Sequence, residues 1–182
     1  MNTQLFCGER VRLVAPNPES DAESVAGWSR DSEFTRLFGS GPARLWTAKR
    51  AKEEMEKDLD KGDVFIFHIR TLVDDRLIGI ADLDPVWSHG DAWLGIGIGE
   101  RDDWGKGYGT DAVRVLLRYA FAELNLFRVT LNVFEHNRRA IRSYEKAGFV
   151  VEGRVREVMR RDGRRSDVVY MGILQEEWRG QQ

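Results

Sequence analysis

A single cysteine, Cys7, stands in the 182-residue chain, and histidine is almost as scarce with three copies. One thiol excludes an internal disulfide, and no Cys/His framework of a zinc site can be assembled. His68, His89 and His136 are too scattered to read as ligands of one ion, so no metal is expected. Long apolar runs are missing as well. The stretch from Met1 to Val14 is broken by Glu9, Arg10 and Arg12, and nothing approaches the roughly 18 apolar residues of a membrane helix. Charge of one sign is also lacking, with 28 Lys and Arg against 30 Asp and Glu for a formal net charge of -2. No global field therefore draws the chain to nucleic acid or to an anionic membrane. These absences predict a soluble cytoplasmic protein with neither a membrane nor a nucleic acid as direct partner.

What is present reads as a globular chain. Apolar residues make up 42% and charged residues 32%, a balance that supports a packed core, and the length predicts one domain over residues 1–182. Arg10-Val11-Arg12-Leu13-Val14 alternates and stops at Pro16, which predicts a first strand. One or two short helices are expected between about Asp21 and Phe38. Thr47 is placed to cap a further helix through Lys57, with Gly62 as its stop. Val64–Ile69 and Leu77–Ala81 predict an antiparallel hairpin around Asp74-Asp75. Asp162-Gly163 predicts a second hairpin near the end of the chain.

The middle of the chain carries the chemistry. Trp93 to Gly99 sets Leu94, Ile96 and Ile98 on one strand face and Gly95, Gly97 and Gly99 on the other. Three glycines at period two weaken a strand, so the bare face calls for close approach by a ligand or another backbone, or for unusually tight packing. Next comes Trp104-Gly105-Lys106-Gly107-Tyr108-Gly109-Thr110. After it, Val113, Leu116, Leu117, Ala120, Phe121 and Leu124 recur with helical spacing to about Leu124. Arg128 to Phe134 alternates again, completing a βαβ unit. A glycine turn entering a helix aims unpaired N–H groups and the positive helix end at one point, which suits a phosphate. The spacing is not that of the phosphate loop of nucleotide hydrolases. A dinucleotide fold, with Glu135 as its ribose-binding acid, requires G-x-G-x-x-G and parallel neighbours that this segment lacks. A purely structural turn and, less favoured, an NAD-type binding domain stay open at this level.

The glycine segment followed by Asn137-x-x-Ala140-x-x-x-Tyr144-x-Lys146-x-Gly148-Phe149 resembles the GNAT acyltransferase superfamily. Within it the chain is similar to the branch of the Rim-type ribosomal-protein and spermidine N-acetyltransferases. The resemblance covers roughly Ala92 to Phe149. It implies an α/β (α+β) fold with a mixed, mostly antiparallel sheet, a central βαβ unit, and fourth and fifth strands splayed apart and flanked by helices. It implies acetyl-CoA as co-substrate, with the pantetheine arm between the splayed strands. The amides of Trp104, Gly105, Lys106, Gly107, Tyr108, Gly109 and Thr110 would hold the pyrophosphate. Ile98, Gly99 and Glu100 would pair with the pantetheine amides, and Asn137 and Ala140 would line the other side. Tyr144 matches the tyrosine that protonates the departing thiolate.

The implied reaction is direct attack by a neutral amine on the thioester, with a backbone N–H of the fourth strand stabilising the oxyanion. A protein N-terminus, a polyamine or another small amine is the expected acceptor, and a homodimer is compatible with the family. An alkylamine with a pKa of about 10 needs a proton acceptor. Asn132 occupies the position where some relatives carry a glutamate, which leaves Glu100 first and His89 second. Trp28, Phe34, Phe38 and Trp46, with Asp31, Glu33, Asp82 and Asp84, are further candidates for the acceptor pocket. Arg138, Arg139 and Arg142 are expected near cofactor phosphates, and the arginines around Asp162-Gly163 at a solvated hairpin tip. The alternative from another class is an acyl-CoA-binding or sensing module without turnover.

Overall fold

The computed structural model describes residues 4–180; the termini of the expected domain, residues 1–3 and 181–182, lie outside them. Seven strands form one sheet in the order β1-β2-β3-β4-β5-β7-β6. Strand β1 is Val11–Val14, β2 Phe65–Thr71, β3 Leu77–Val86 and β4 Asp91–Ile98. Strand β5 is Arg128–Phe134, β6 Val150–Arg161 and β7 Arg164–Leu174. Neighbours run antiparallel except β4 and β5, which are parallel. The mixed, mostly antiparallel sheet agrees with the expectation from the motifs. Among the described residues no helix is long and apolar enough to cross a membrane.

Local chemistry explains most element boundaries. The first helix, α1 (Pro18–Trp28), starts on Asn17, whose side chain accepts from the Glu19 and Ser20 amides, and Pro18 sits where its missing N–H costs nothing. Asp31 caps α2 (Ser32–Phe38) in the same way, and Thr47 caps α3 (Ala48–Leu59). The third helix stops at Leu59, ahead of Gly62. Asp162 and Gly163 both have positive φ, 50° and 72°, the geometry that matches a two-residue turn to the twist of β6 and β7.

Helix α4 (Tyr108–Arg118) lays Ala112, Val113, Val115, Leu116 and Leu117 against the sheet, all essentially inaccessible. Each such aliphatic side chain contributes about 1.5–3 kcal/mol by leaving water. Instead of continuing as α-helix to Leu124, the chain widens into a π-helical turn at Tyr119–Glu123, where the Leu124 amide reaches back to the Tyr119 carbonyl. The extra residue per turn keeps Tyr119, Ala120 and Phe121 buried, which the apolar periodicity alone does not reveal. The remaining helices are α5 (Arg138–Lys146) and α6 (Gln175–Arg179).

One buried carboxylate ties the N-terminal segment to α4. Asp111 accepts hydrogen bonds from the amides of Glu9, Arg10 and Val11 at 3.1, 2.8 and 3.0 Å. A Cβ at Gly8 would lie 2.3 Å from its Oδ2, so glycine there is the condition for the approach. Asp111→Ala strands three donors, each costing about 1–3 kcal/mol when unmet. A loss of about 3–5 kcal/mol in urea unfolding is therefore expected. A loss below about 1 kcal/mol would show that water replaces the carboxylate.

Candidate active site

The first turn of α4 is built to receive an anion. Its N-cap is Gly107, with φ of 89° and no side chain to cap the helix. The first intrahelical bond runs from the Asp111 amide to the Gly107 carbonyl, so the amides of Gly107, Tyr108, Gly109 and Thr110 have no intrahelical acceptor. Gly105, with φ of 79°, turns the chain ahead of them, and nothing lies within 4 Å of where its Cβ would be. Four donors at the positive end of a helix, two of them on glycines, fit a diphosphate.

This cradle opens into a gap in the sheet. Strands β4 and β5 pair only at Asp91–Arg128, Ala92–Val129 and Trp93–Thr130, and beyond Trp93 they diverge. The gap is a cleft of about 610 Å³. The Gly99 amide donates to the Ile78 carbonyl on β3, and backbone groups of successive strand residues point to opposite sides. The backbone groups of Ile96 and Ile98 therefore face the cleft, unmatched by β5. The carbonyl of Ile98 accepts the Trp104 indole N–H at 2.7 Å, which leaves its N–H.

Of the residues expected to hold the cofactor, Ile98, Trp104, Gly105, Gly107, Gly109 and Thr110 line this cleft from one side. Asn137 and Ala140 line it from the other. Gly99, Lys106 and Tyr108 do not. The Gly99 amide is committed to β3, Lys106 turns its ammonium towards buried Asp103 at 3.5 Å, and Tyr108 packs on the main core. Arg142, Ser143 and Lys146 also line the cleft, and the Ser143 and Thr110 hydroxyls are 2.8 Å apart, joining α5 to α4. The helical spacing of Arg139, Ser143 and Lys146 beside Ala140 and Tyr144 was the signal that could have found Ser143.

The glycine face of β4 is not bare. A Cβ at Gly99 would lie 2.0 Å from the Trp28 ring, one at Gly97 2.6 Å from the Phe38 ring, and one at Gly95 2.4 Å from Asp82 Oδ1. The glycines make room for these three side chains, with Phe34 stacked on Phe38 at 5.4 Å. Tight packing is therefore the reason for the period-two glycines. Of the occupants left open by the sequence, a ligand on that face gives way to the aromatic rings of α1 and α2, which already cover it.

Asp82, on β3, lines the cleft and makes no hydrogen bond or ion pair among the described residues. Burial, reinforced by the charges of Asp84 and Asp58, pushes its carboxyl up to about 6. The other carboxylate of the lining, Asp103, is held by Arg76 at 2.8 Å and by Lys106. Glu100 and His89 lie elsewhere. Glu100 accepts the Trp28 indole N–H at 2.7 Å and does not line the cleft. His89 sits in the turn between β3 and β4, at the end of β4 remote from the glycine turn. Asn132 does line the cleft.

Tyr144 closes the cleft from α5. It is buried, packs edge-on to Phe149 at 6.0 Å, and burial pushes its phenol up to about 12, so it stays a neutral O–H donor throughout the physiological range. Trp104 acts as a platform, with the Arg139 guanidinium 3.6 Å above its ring and that of Arg101 at 5.1 Å. Arg138 faces away from the cleft, into a neighbouring pocket. Cys7 precedes β1, outside the cleft, and His68 is buried against Asp21 at 2.6 Å. Among the described residues no group of three His, Cys, Asp or Glu side chains could hold a metal.

Comparison with known proteins fits this geometry. The family model of the acetyltransferase (GNAT) domain matches residues 10–150. The uncharacterized N-acetyltransferase p20 of Bacillus licheniformis is 30% identical over 94% of this chain and 97% of its own length. The probable N-acetyltransferase YjcK of Bacillus subtilis (strain 168) is 36% identical over 88% and 92%. The crystal structure of spermidine N-acetyltransferase from Vibrio cholerae in complex with CoA and spermine superposes with a TM-score of 0.82 at 25% identity, covering 92% of this chain and 97% of that one.

Proposed function

This chain belongs to the GNAT acetyltransferase family and is an N-acetyltransferase that uses acetyl-CoA, and from that premise we propose that it acetylates a primary amine by direct attack in a ternary complex, with Asp82 as proton acceptor and Tyr144 as proton donor. The unpaired Asp82 carboxylate in the cleft, held up to about 6, carries the reading. Its raised pKa makes it a competent base at neutral pH. The amine attacks in its neutral form, whose conjugate acid has a pKa of about 10, and its nitrogen becomes far more acidic as the bond to the acyl carbon forms, so Asp82 accepts the proton that this nitrogen sheds. Acetyl-CoA supplies the activated thioester. The free amides of the α4 turn would hold its diphosphate, and Asn137 and Ala140 would line its arm. The cleft-facing N–H of Ile96 or Ile98 would meet the developing oxyanion. The Tyr144 hydroxyl, neutral because it is buried, would protonate the departing sulfur.

Initial rates at varied acetyl-CoA and amine test this reading. Intersecting double-reciprocal lines are expected, whereas parallel lines would mean a covalent acyl-enzyme. Acetyl-CoA binding by calorimetry, with no thiol released by any amine, peptide or polyamine, would leave a sensing module. Tyr144→Phe is expected to lower kcat about 10- to 100-fold, with acetyl-CoA affinity within about twofold by calorimetry. An unchanged kcat would remove the phenol from the reaction.

A polyamine acceptor is the second reading, favoured by the likeness to the Vibrio cholerae enzyme. Against it, Asp82 is the one carboxylate of the cleft lining without an ion pair, and a long polycation asks for several.

A further inference from the structure

We propose that the arginine-lined pocket beside the cleft is an acceptor-recognition subsite that selects a peptide whose free amine is followed by acidic residues. The proposal rests on the amine-acetylation reading and gives the acceptor its class.

The pocket, about 850 Å³, lies between α2, the start of α5 and the β6–β7 turn. It shares Leu37, Asn137 and Arg139 with the cleft, so an acceptor with its amine in the cleft can continue into it without leaving the surface. Six arginines line it: Arg36, Arg138, Arg139, Arg161, Arg164 and Arg165. The three acids of the lining are already engaged, Glu33 with Arg101, Glu135 with Arg154, and Asp162 with Arg36. Arg138 and Arg164 have no ion pair among the described residues. Like charges gathered around one pocket repel one another, and a bound polyanion relieves that repulsion.

Two of these arginines, Arg161 and Arg165, are held by hydrogen bonds to backbone carbonyls. Arg161 donates to the carbonyls of Arg36 at 2.5 Å and Gly41 at 3.3 Å, and also to that of Gly39, pinning the β6–β7 turn to the end of α2. Burial and the neighbouring Arg36 lower its pKa, partly offset by the charge of Asp162. Arg165 is anchored on the Glu157 carbonyl at 2.7 Å. The turn at Asp162-Gly163 is the solvated tip that the sequence suggests, and its arginines border the pocket from that side. The excess positive charge is spread over three elements, more than one carboxylate can satisfy. An extended peptide presents an acid every residue or two along such a border. A polyamine would be repelled.

Two peptides of the same length and N-terminal residue, one continuing with Asp and Glu and the other with Asn and Gln, test the proposal. At low salt the acidic peptide is expected to show kcat/KM at least about 10-fold higher. In the Arg164→Gln/Arg165→Gln double variant that preference should fall below about threefold, with the neutral peptide and the KM for acetyl-CoA unchanged. Equal kcat/KM in the unaltered enzyme, or a preference that survives in the variant, would overturn the proposal. So would a raised KM for acetyl-CoA, which would assign these arginines to the cofactor. If neither peptide is acetylated, fluorescence anisotropy of the labelled peptides on the CoA-loaded enzyme decides. Tighter binding of the acidic peptide that weakens in the variant supports the pocket and faults only the transfer reading. Equal binding overturns the pocket itself. A short RNA that outcompetes the acidic peptide would also overturn it.

Discussion

Asp82→Asn is expected to lower kcat about 100- to 1,000-fold, the range of a lost general base, while making the protein more stable. The two effects have one origin. Burial moves the Asp82 carboxyl from 3.8 in the unfolded chain to about 6 in the folded one. Between those values the folded state binds more protons, so stability falls as pH rises through that window and has been lost in full above it. The shift corresponds to about 3 kcal/mol, to be read as an upper figure because the group is partly solvated. Asn, which carries no charge to desolvate, should recover about 1–3 kcal/mol at pH 7. It should recover almost nothing at pH 3.5, below both values, where Asp82 is mostly protonated in both states. In the unaltered enzyme kcat/KM should rise as pH increases through about 6, and the variant should lack that limb. Thermal melts at the two pH values and a pH–rate profile check both halves. A variant that is less stable at pH 7, with its limb intact, would mean that the carboxylate is a structural group and that the base lies elsewhere, with Glu100 next to be tested.

Gly107→Val should weaken acetyl-CoA binding at least 100-fold, about 2.7 kcal/mol. The obstacle is the backbone rather than a crowded neighbour. A Cβ at Gly107 would lie 3.7 Å from Arg10 Nε, an ordinary contact, but φ is 89°. A β-branched residue does not tolerate that region, and relieving the strain rotates the peptide units on either side. The Tyr108 and Gly109 amides then no longer converge. Calorimetry with acetyl-CoA measures the loss, and circular dichroism confirms that α4 remains. Affinity within threefold of the parent would show that the diphosphate is held elsewhere.

Much of this site was legible along the chain because its decisive features are short-range. Gly105 and Gly107, both at positive φ, mark a turn that glycine makes without strain. The apolar spacing after them marks the buried face of α4. Asn137, Ala140 and Tyr144 share one face of α5 simply by helical geometry. The Asp162-Gly163 turn and the Thr47 cap were equally readable. The same reasoning stopped at the period-two glycines of β4. It could state that something approaches them, but the occupants come from Trp28, Phe38 and Asp82, and nothing in a window around residue 97 names those partners.

The proton acceptor illustrates the same boundary. Asp82 on β3 and Glu100 just beyond the end of β4 are both carboxylates, and composition does not separate them. The Trp28 indole turns one into a hydrogen-bonded acceptor, and burial turns the other into an unpaired group of raised pKa. The arginines of the β6–β7 turn sit at an exposed tip, as the sequence suggests, but only the hydrogen bond from Arg161 to the Arg36 carbonyl, across 125 residues of chain, shows that this tip lies beside α2. The sequence by itself determined the anion cradle, the strand–helix–strand unit and the tyrosine helix, because backbone dihedrals, caps and periodicity act over a few residues. Only the tertiary structure decided which carboxylate is unpaired, what covers the glycine face and where the positive charge gathers, because desolvation and packing depend on atoms that folding alone brings together.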